Sequence, residues 1–174
     1  MKYLYSFIFL LVLYSCSSTQ KTTKMIKPEK ISVVKGCPDK AECEVEILQN
    51  KAIHKTTEET TGKFYPEFKE DSTKTVVKVE MTLNPDKAAV DGQYREEIIF
   101  EWPDKSTVNL KGKELENLNL IFGRFCFCDK EQVGYFEIEQ GEINIAENIF
   151  SLNFENSQDI PQILKEISGE YKLK

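Results

Sequence analysis

The sequence predicts an all-β fold, with mainly antiparallel strands in a single domain. Apolar and polar residues alternate with a period of two along most of the chain after residue 31, which is typical of strands with one buried face. Turn-forming residues separate these stretches at short intervals. Strands joined in this way form an antiparallel sandwich or a barrel, and the pattern is compatible with either.

Five alternating stretches carry the strand prediction. Their apolar positions are, in chain order, Cys43, Val45 and Ile47; Val77, Val79, Met81 and Leu83; Ile98, Phe100 and Trp102; Phe136 and Ile138; and Phe150, Leu152 and Phe154. In the third stretch, Glu97 and Glu101 lie on the opposite, polar face. Turns are expected between the stretches at Asn84-Pro85-Asp86, Asp91-Gly92, Pro103-Asp104, Asp129-Lys130 and Gln140-Gly141.

Two stretches are less regular. Residues 51–72 form a polar hairpin or loop that ends in an aromatic cluster, Phe64, Tyr65 and Phe68. Exposed aromatic side chains on loops provide large contact areas for ligands, whereas buried ones would close an open end of the sandwich. Residues 160–174 are compatible with a short helix or a final strand, and we expect a short C-terminal helix or turn leading into that strand.

The amino terminus carries an export signal. One positive charge, Lys2, precedes twelve mostly apolar residues, a run too short to cross a bilayer as a helix. The residues that follow, Leu13-Tyr14-Ser15-Cys16, resemble the lipobox of bacterial lipoproteins, with Tyr14 bulkier than the usual residue. The alternative is an ordinary cysteine beside a conventional signal-peptidase site.

The lipoprotein resemblance implies three segments. Residues 1–15 would be the signal peptide, residues 16–30 a flexible tether that starts at the lipidated Cys16, and residues 31–174 a single β domain. The lipid would be the link to the membrane, since multiple acyl chains hold a protein firmly on a bilayer. Ser17 is not an aspartate-type retention signal, so we expect a lipid-anchored protein of the cell envelope, on the outer membrane facing the periplasm.

Charge excludes one class of partner. The formal net charge is −6 at pH 7, which argues against nucleic acid, because phosphates require a basic surface. The chain also lacks a polybasic patch for anionic lipid.

Cys37, Cys43, Cys126 and Cys128 are expected to form disulfides, as even numbers of cysteines do in exported proteins. On an extended strand the last two would lie about 6–7 Å apart, too far for a bridge. We therefore expect two bridges from the early pair to the late pair, with a bulge at Gly123 that turns the late cysteines toward their partners. A metal site and a redox-active Cys126–Cys128 pair are the alternatives.

The chain offers little for catalysis. His54 is the only histidine, and we expect it to be a surface residue. We assign no catalytic residue, no metal site and no cofactor. The acidic pairs arise from composition, because adjacent strand residues face opposite sides. Trp102 is expected to anchor the core at a strand end.

The expected function is a non-catalytic binding or structural role in the envelope, with an envelope protein or a small apolar ligand as partner. An alternative is a carrier similar to lipocalins, with an apolar ligand inside a barrel. An enzyme, or an enzyme inhibitor that uses the loop Glu58 to Phe68, is less favoured.

Overall fold

The structure is a computed structural model, which describes residues 27–83, 94–156 and 160–173. Two five-stranded antiparallel sheets make a β-sandwich, which confirms the predicted all-β class and selects sandwich over barrel. Sheet A contains strands β1 (Pro28–Lys35), β5 (Val108–Lys111), β8 (Gln140–Ala146), β9 (Ile149–Glu155) and β10 (Glu166–Leu173). Their order across the sheet is β1-β10-β9-β8-β5. Sheet B has the order β2-β3-β4-β6-β7, with β2 (Ala41–Thr57), β3 (Phe64–Leu83), β4 (Tyr94–Glu101), β6 (Ile121–Phe125) and β7 (Gly134–Glu137).

The main core lies between the two sheets and follows the predicted alternation. In β9, Phe150, Leu152 and Phe154 are buried, whereas Ser151 and Asn153 are exposed. Further side chains without solvent contact come from sheet B, namely Val77, Val79, Met81, Ile98, Phe100 and Phe122, and from β8 of sheet A, namely Ile143 and Ile145. Period-two alternation therefore identified the inner faces correctly.

The long β2–β3 hairpin bends sharply near its middle. Gln49 pairs with Thr75, but the next pair joins Lys51 to Glu70, so four residues of β3 lie opposite the single Asn50 of β2. Asn50 has a positive φ of 58°, and the carboxylate of Asp71 accepts hydrogen bonds from the backbone N–H and the hydroxyl of Thr73. This irregularity redirects the distal part, residues 51–70, which we call the hairpin arm.

The hairpin arm covers the outer face of sheet B and creates a second, smaller core. Ile53 from the arm is buried with Val76, Ile99 and Ile121 of the sheet, and Leu48, Phe64, Phe68 and Tyr135 pack around them. Strand β4 is consequently covered on both faces. Glu97 and Glu101, which the alternation placed on a polar face, are both buried. Glu101 accepts a hydrogen bond from Ile53 of the arm, whereas Glu97 lies beside Lys78, Arg95 and Tyr135.

Several predicted boundaries need correction. Strand β1 begins at Pro28, so the last three residues of the predicted tether 16–30 belong to the sandwich. The described residues 160–173 contain no helix: 160–165 are irregular, and they lead into the predicted final strand, β10. Short 3₁₀ helices lie instead at Gly112–Leu118 and Lys130–Gln132.

One of the expected turns also differs. Gln140 and Gly141 begin strand β8, and the tight turn lies later, at Glu147 and Asn148, both with positive φ. The motifs Asn84-Pro85-Asp86 and Asp91-Gly92 lie outside the described residues, as does Cys16. Across residues 27–83, 94–156 and 160–173, no helix has the length and apolar character needed to cross a membrane.

Candidate functional site

The four cysteines form two local disulfides, Cys37–Cys43 and Cys126–Cys128. Disulfide formation is as predicted, but the predicted pairing between early and late cysteines is wrong. The pairing register of sheet B gives the reason: Cys43 lies opposite Met81, which lies opposite Glu96, which lies opposite Arg124. Three strand spacings, about 14 Å, therefore separate the two cysteine segments, whereas a disulfide needs Cα atoms within about 7 Å.

The segment Cys126 to Cys128 is not a strand, which is why the two cysteines can pair. Strand β6 ends at Phe125, and residues 126–128 bend, so the Cα atoms of the two cysteines approach to 5.3 Å. The expected bulge at Gly123 is absent, because β6 pairs without a register shift with both of its neighbours. Gly123 instead makes room for the ring of Tyr135, which an added Cβ would meet at 2.9 Å.

Arg124 connects this cysteine pair to the protein interior. Its side chain is buried, and its Nη1 donates to Sγ of Cys128 at 3.3 Å and to the backbone carbonyl of Gln132 at 3.1 Å. Its Nε donates to the hydroxyl of Tyr94 at 3.2 Å, and the guanidinium lies over the Tyr94 ring at 5.3 Å. One cation therefore contacts a disulfide sulfur and an internal hydroxyl group.

The series of hydrogen bonds that begins at Cys128 ends at Glu96, whose side chain is fully buried. Its carboxylate accepts the hydroxyl proton of Tyr94 and the backbone N–H groups of Ile163 and Leu164, at 2.8 and 2.6 Å. Burial, followed by the hydrogen bond to Glu96, raises the pKa of Tyr94 to about 12, while Arg124 opposes the shift. Tyr94 therefore stays neutral between the side chains of Glu96 and Arg124.

A second site is a surface groove of about 350 Å³ beside Trp102. Trp102 is 3% exposed and packs against Phe100, Phe150 and Tyr171, as expected of a core anchor. Its indole N–H is buried and has no hydrogen-bond partner among the described residues. The groove is otherwise lined by Lys74, Glu101, Pro103, Asp104, Lys105, Thr107, Val108, Asn109, Leu110, Asn117 and Leu118.

Comparisons with protein-family models, curated proteins and solved structures find no match.

The predicted aromatic cluster is divided by the structure. Phe64 and Phe68 pack against the second core over the outer face of sheet B, whereas Tyr65 is 44% exposed. A ligand-binding role for the three residues stays a prediction. His54 is exposed on β2, as expected of a surface residue.

Sequence reasoning missed the buried polar residues around the disulfide. The local sequence pattern assigned no role to Arg124, Tyr94 or Glu96. The available signal was an arginine inside the apolar run Ile121-Phe122-Gly123-Arg124-Phe125, where a charge requires partners.

Proposed function

We propose that this chain is a lipid-anchored protein of the cell envelope whose β-sandwich is a non-catalytic binding module. Cys16 would carry the lipid and hold the domain at the periplasmic face of the outer membrane. The ligand site would be the groove beside Trp102. The anchor is supported by the lipobox resemblance of Leu13 to Cys16, and the groove by its geometry.

The observation that carries the binding proposal is the unpaired indole N–H of Trp102. Leaving a buried donor without an acceptor costs about 1–3 kcal/mol, and native proteins rarely do so. Trp102 lines the groove, so a ligand that displaces the atoms covering the indole N–H would supply the missing acceptor from one of its oxygen atoms.

The other groove residues indicate the chemistry of that ligand. Val108, Leu110 and Leu118 provide apolar surface, whereas Asn109 and Asn117 provide amide groups. Lys105 and Asp104 have opposite charges, so the groove does not favour a strongly charged ligand. A molecule with an amide carbonyl beside an apolar group fits this lining, and an N-acetylated sugar has both.

The carboxylate of Glu101, which also lines the groove, is already engaged. It accepts the backbone N–H of Ile53 at 2.9 Å and pairs with Nζ of Lys74 at 3.0 Å. These contacts give Glu101 a structural role, which supports binding over acid–base catalysis.

The filled interior favours this proposal over a lipocalin-like carrier. Large side chains from both sheets, including Phe100, Phe122, Phe150 and Phe154, are fully buried between them. Native mass spectrometry distinguishes the two functions, since a carrier purified from cells would retain the mass of an apolar ligand.

The groove is tested by titrating the protein with N,N′-diacetylchitobiose and, as a matched control, cellobiose, which lacks the acetamido groups. Trp102 is the only tryptophan, so intrinsic fluorescence reports on the groove directly. We expect a saturable change with the acetylated sugar and binding at least about tenfold weaker for cellobiose, the loss typical of an unmade polar contact.

Two alanine variants test whether the sugar binds in the groove. Asn117→Ala, inside the groove, should weaken the interaction, whereas Asn144→Ala, an exposed asparagine on β8 outside it, should not. Equal responses to both sugars, or equal effects of both variants, would contradict the proposed site.

A further inference from the structure

We infer that Cys126 and Cys128 form a thiol–disulfide exchange site, whose co-reactant is a protein or peptide with two cysteine thiols. Arg124 would stabilise Cys128 in its thiolate form. This site shares no residue with the groove beside Trp102 and does not depend on the function proposed for that groove.

The Cys126–Cys128 disulfide is poorly placed to stabilise the fold. It joins cysteines only two positions apart, and closing so short a loop restricts the unfolded chain far less than closing a long one. The surrounding loop is also fixed by other contacts. Arg124 binds the carbonyl of Gln132, and Nζ of Lys63 on the hairpin arm binds the carbonyls of Lys130 and Val133.

The pair is accessible to a partner. Cys128 is an exposed residue and Cys126 is half-buried. Between them, Phe127 is 96% exposed, the largest exposure of any large apolar side chain in the described part of the chain. An aromatic side chain held in solvent beside a disulfide offers apolar contact to an incoming polypeptide.

Arg124 gives the sulfurs of Cys126 and Cys128 different chemical environments. Its Nη1 lies 3.3 Å from Sγ of Cys128, and a neighbouring guanidinium lowers the pKa of a cysteine thiol. Tyr94 and Gln132 accept hydrogen bonds from the same guanidinium, so it cannot move away from Cys128 without breaking those hydrogen bonds.

Exchange follows in two steps. A partner thiolate attacks Sγ of Cys128 and forms a mixed disulfide, while the electron pair of the broken Cys126–Cys128 bond goes to Cys126, which takes up a proton. The second partner thiolate then attacks the partner sulfur of the mixed disulfide, and the electron pair goes to Cys128 beside Arg124. The partner dithiol is oxidised to a disulfide, and the two cysteines are reduced by two electrons, with one proton taken up by Cys126 and Cys128 left as the thiolate.

The first experiment compares the two disulfides within the full chain, purified in detergent and equilibrated with mixtures of reduced and oxidised dithiothreitol. Thiols are alkylated and assigned by peptide mass spectrometry, and Cys37–Cys43 serves as the internal control. We expect Cys126–Cys128 to be reduced at a dithiol-to-disulfide ratio at least about tenfold lower. Equal or greater resistance of Cys126–Cys128 would overturn the inference.

The second experiment tests the roles of the two sulfurs. With Cys126→Ser, the remaining Cys128 should form a mixed disulfide with oxidised glutathione about tenfold faster at pH 7 than Cys126 does in Cys128→Ser. Arg124→Gln in the Cys126→Ser background should move the pH dependence of Cys128 alkylation to higher pH, and Arg124→Lys should restore part of the difference.

If Arg124→Gln does not fold, the alkylation profile of Cys128 in Cys126→Ser is compared with that of Cys43 in Cys37→Ser. Identical profiles would show that Arg124 does not activate Cys128.

Discussion

The backbone N–H of Ile53 donates to Oε1 of Glu101 at 2.9 Å, although 48 residues separate the two along the chain. This hydrogen bond joins the hairpin arm to the central strand of sheet B. The same carboxylate pairs with Lys74, close to the bend of the hairpin. Glu101 therefore fixes the arm at the point where it turns over the sheet.

Replacing Glu101 should release the hairpin arm. Glu101→Ala leaves a buried N–H and an amine without their acceptor, so we expect the free energy of unfolding to fall by about 2–3 kcal/mol. Glu70→Ala, which breaks an exposed ion pair with Lys51, should cost less than about 1 kcal/mol. Urea denaturation measures both, and hydrogen exchange should show faster exchange across residues 51–70 only in the first variant.

The aromatic cluster of the arm should separate into packing and surface residues. Phe68→Ala removes a half-buried ring from the second core and should destabilise the protein by about 2 kcal/mol. Tyr65→Ala should change stability by less than about 0.5 kcal/mol, because that side chain is largely exposed. Thermal unfolding measures the difference, and equal effects would contradict the second core.

Stability should fall at alkaline pH through Tyr94. Burial and the hydrogen bond to Glu96 raise the pKa of Tyr94 to about 12 in the folded state, above its ordinary value of 10.0. The resulting stabilisation is complete below pH 10 and is lost as the pH rises from 10 through about 12, because the unfolded chain then releases a proton that the folded chain retains.

Tyr94→Phe is the matched variant for this effect. It should be less stable than the parent at pH 8, since Glu96 and Arg124 lose a partner, and the difference should shrink as the pH rises above 10. Urea denaturation at a series of pH values measures the difference, which a pH-independent gap would contradict.

Lipid anchoring should depend on Cys16 alone. Cys16→Ser should abolish incorporation of a labelled fatty acid and move the protein from the membrane fraction to the soluble fraction. Cys37→Ser serves as the control, because that cysteine belongs to the sandwich and its loss should leave the label in place. Labelling of the Cys16→Ser protein would contradict the lipobox assignment.

Much of the sandwich could be predicted from local patterns, and the rest depended on long-range contacts. The alternation in β9 and in the second half of β3 marks the inner faces correctly, because one side of each strand packs against the opposite sheet. On β4 the alternation was misleading, since Glu101 is covered by an arm whose path depends on the irregular pairing around Asn50. Glu97 is buried by its neighbours in sheet B, among them Tyr135 on β7.

The candidate sites were harder to predict from the sequence than the sandwich was. The separation of Cys43 from Cys126 follows from the strand order of sheet B, which no local pattern reveals. The role of Arg124 depends on Tyr94 and Cys128 at once, and these residues come together only because β4 and β6 are neighbours.

Both disulfides join cysteines that follow one another along the sequence, and this order matters for the way the chain acquires them. A polypeptide that enters an oxidising compartment amino-terminus first presents Cys37 and Cys43 together, well before Cys126 and Cys128 arrive. Oxidation at first encounter then yields the native bonds. For an exported chain, biogenesis should consequently require a thiol oxidase but no disulfide isomerase.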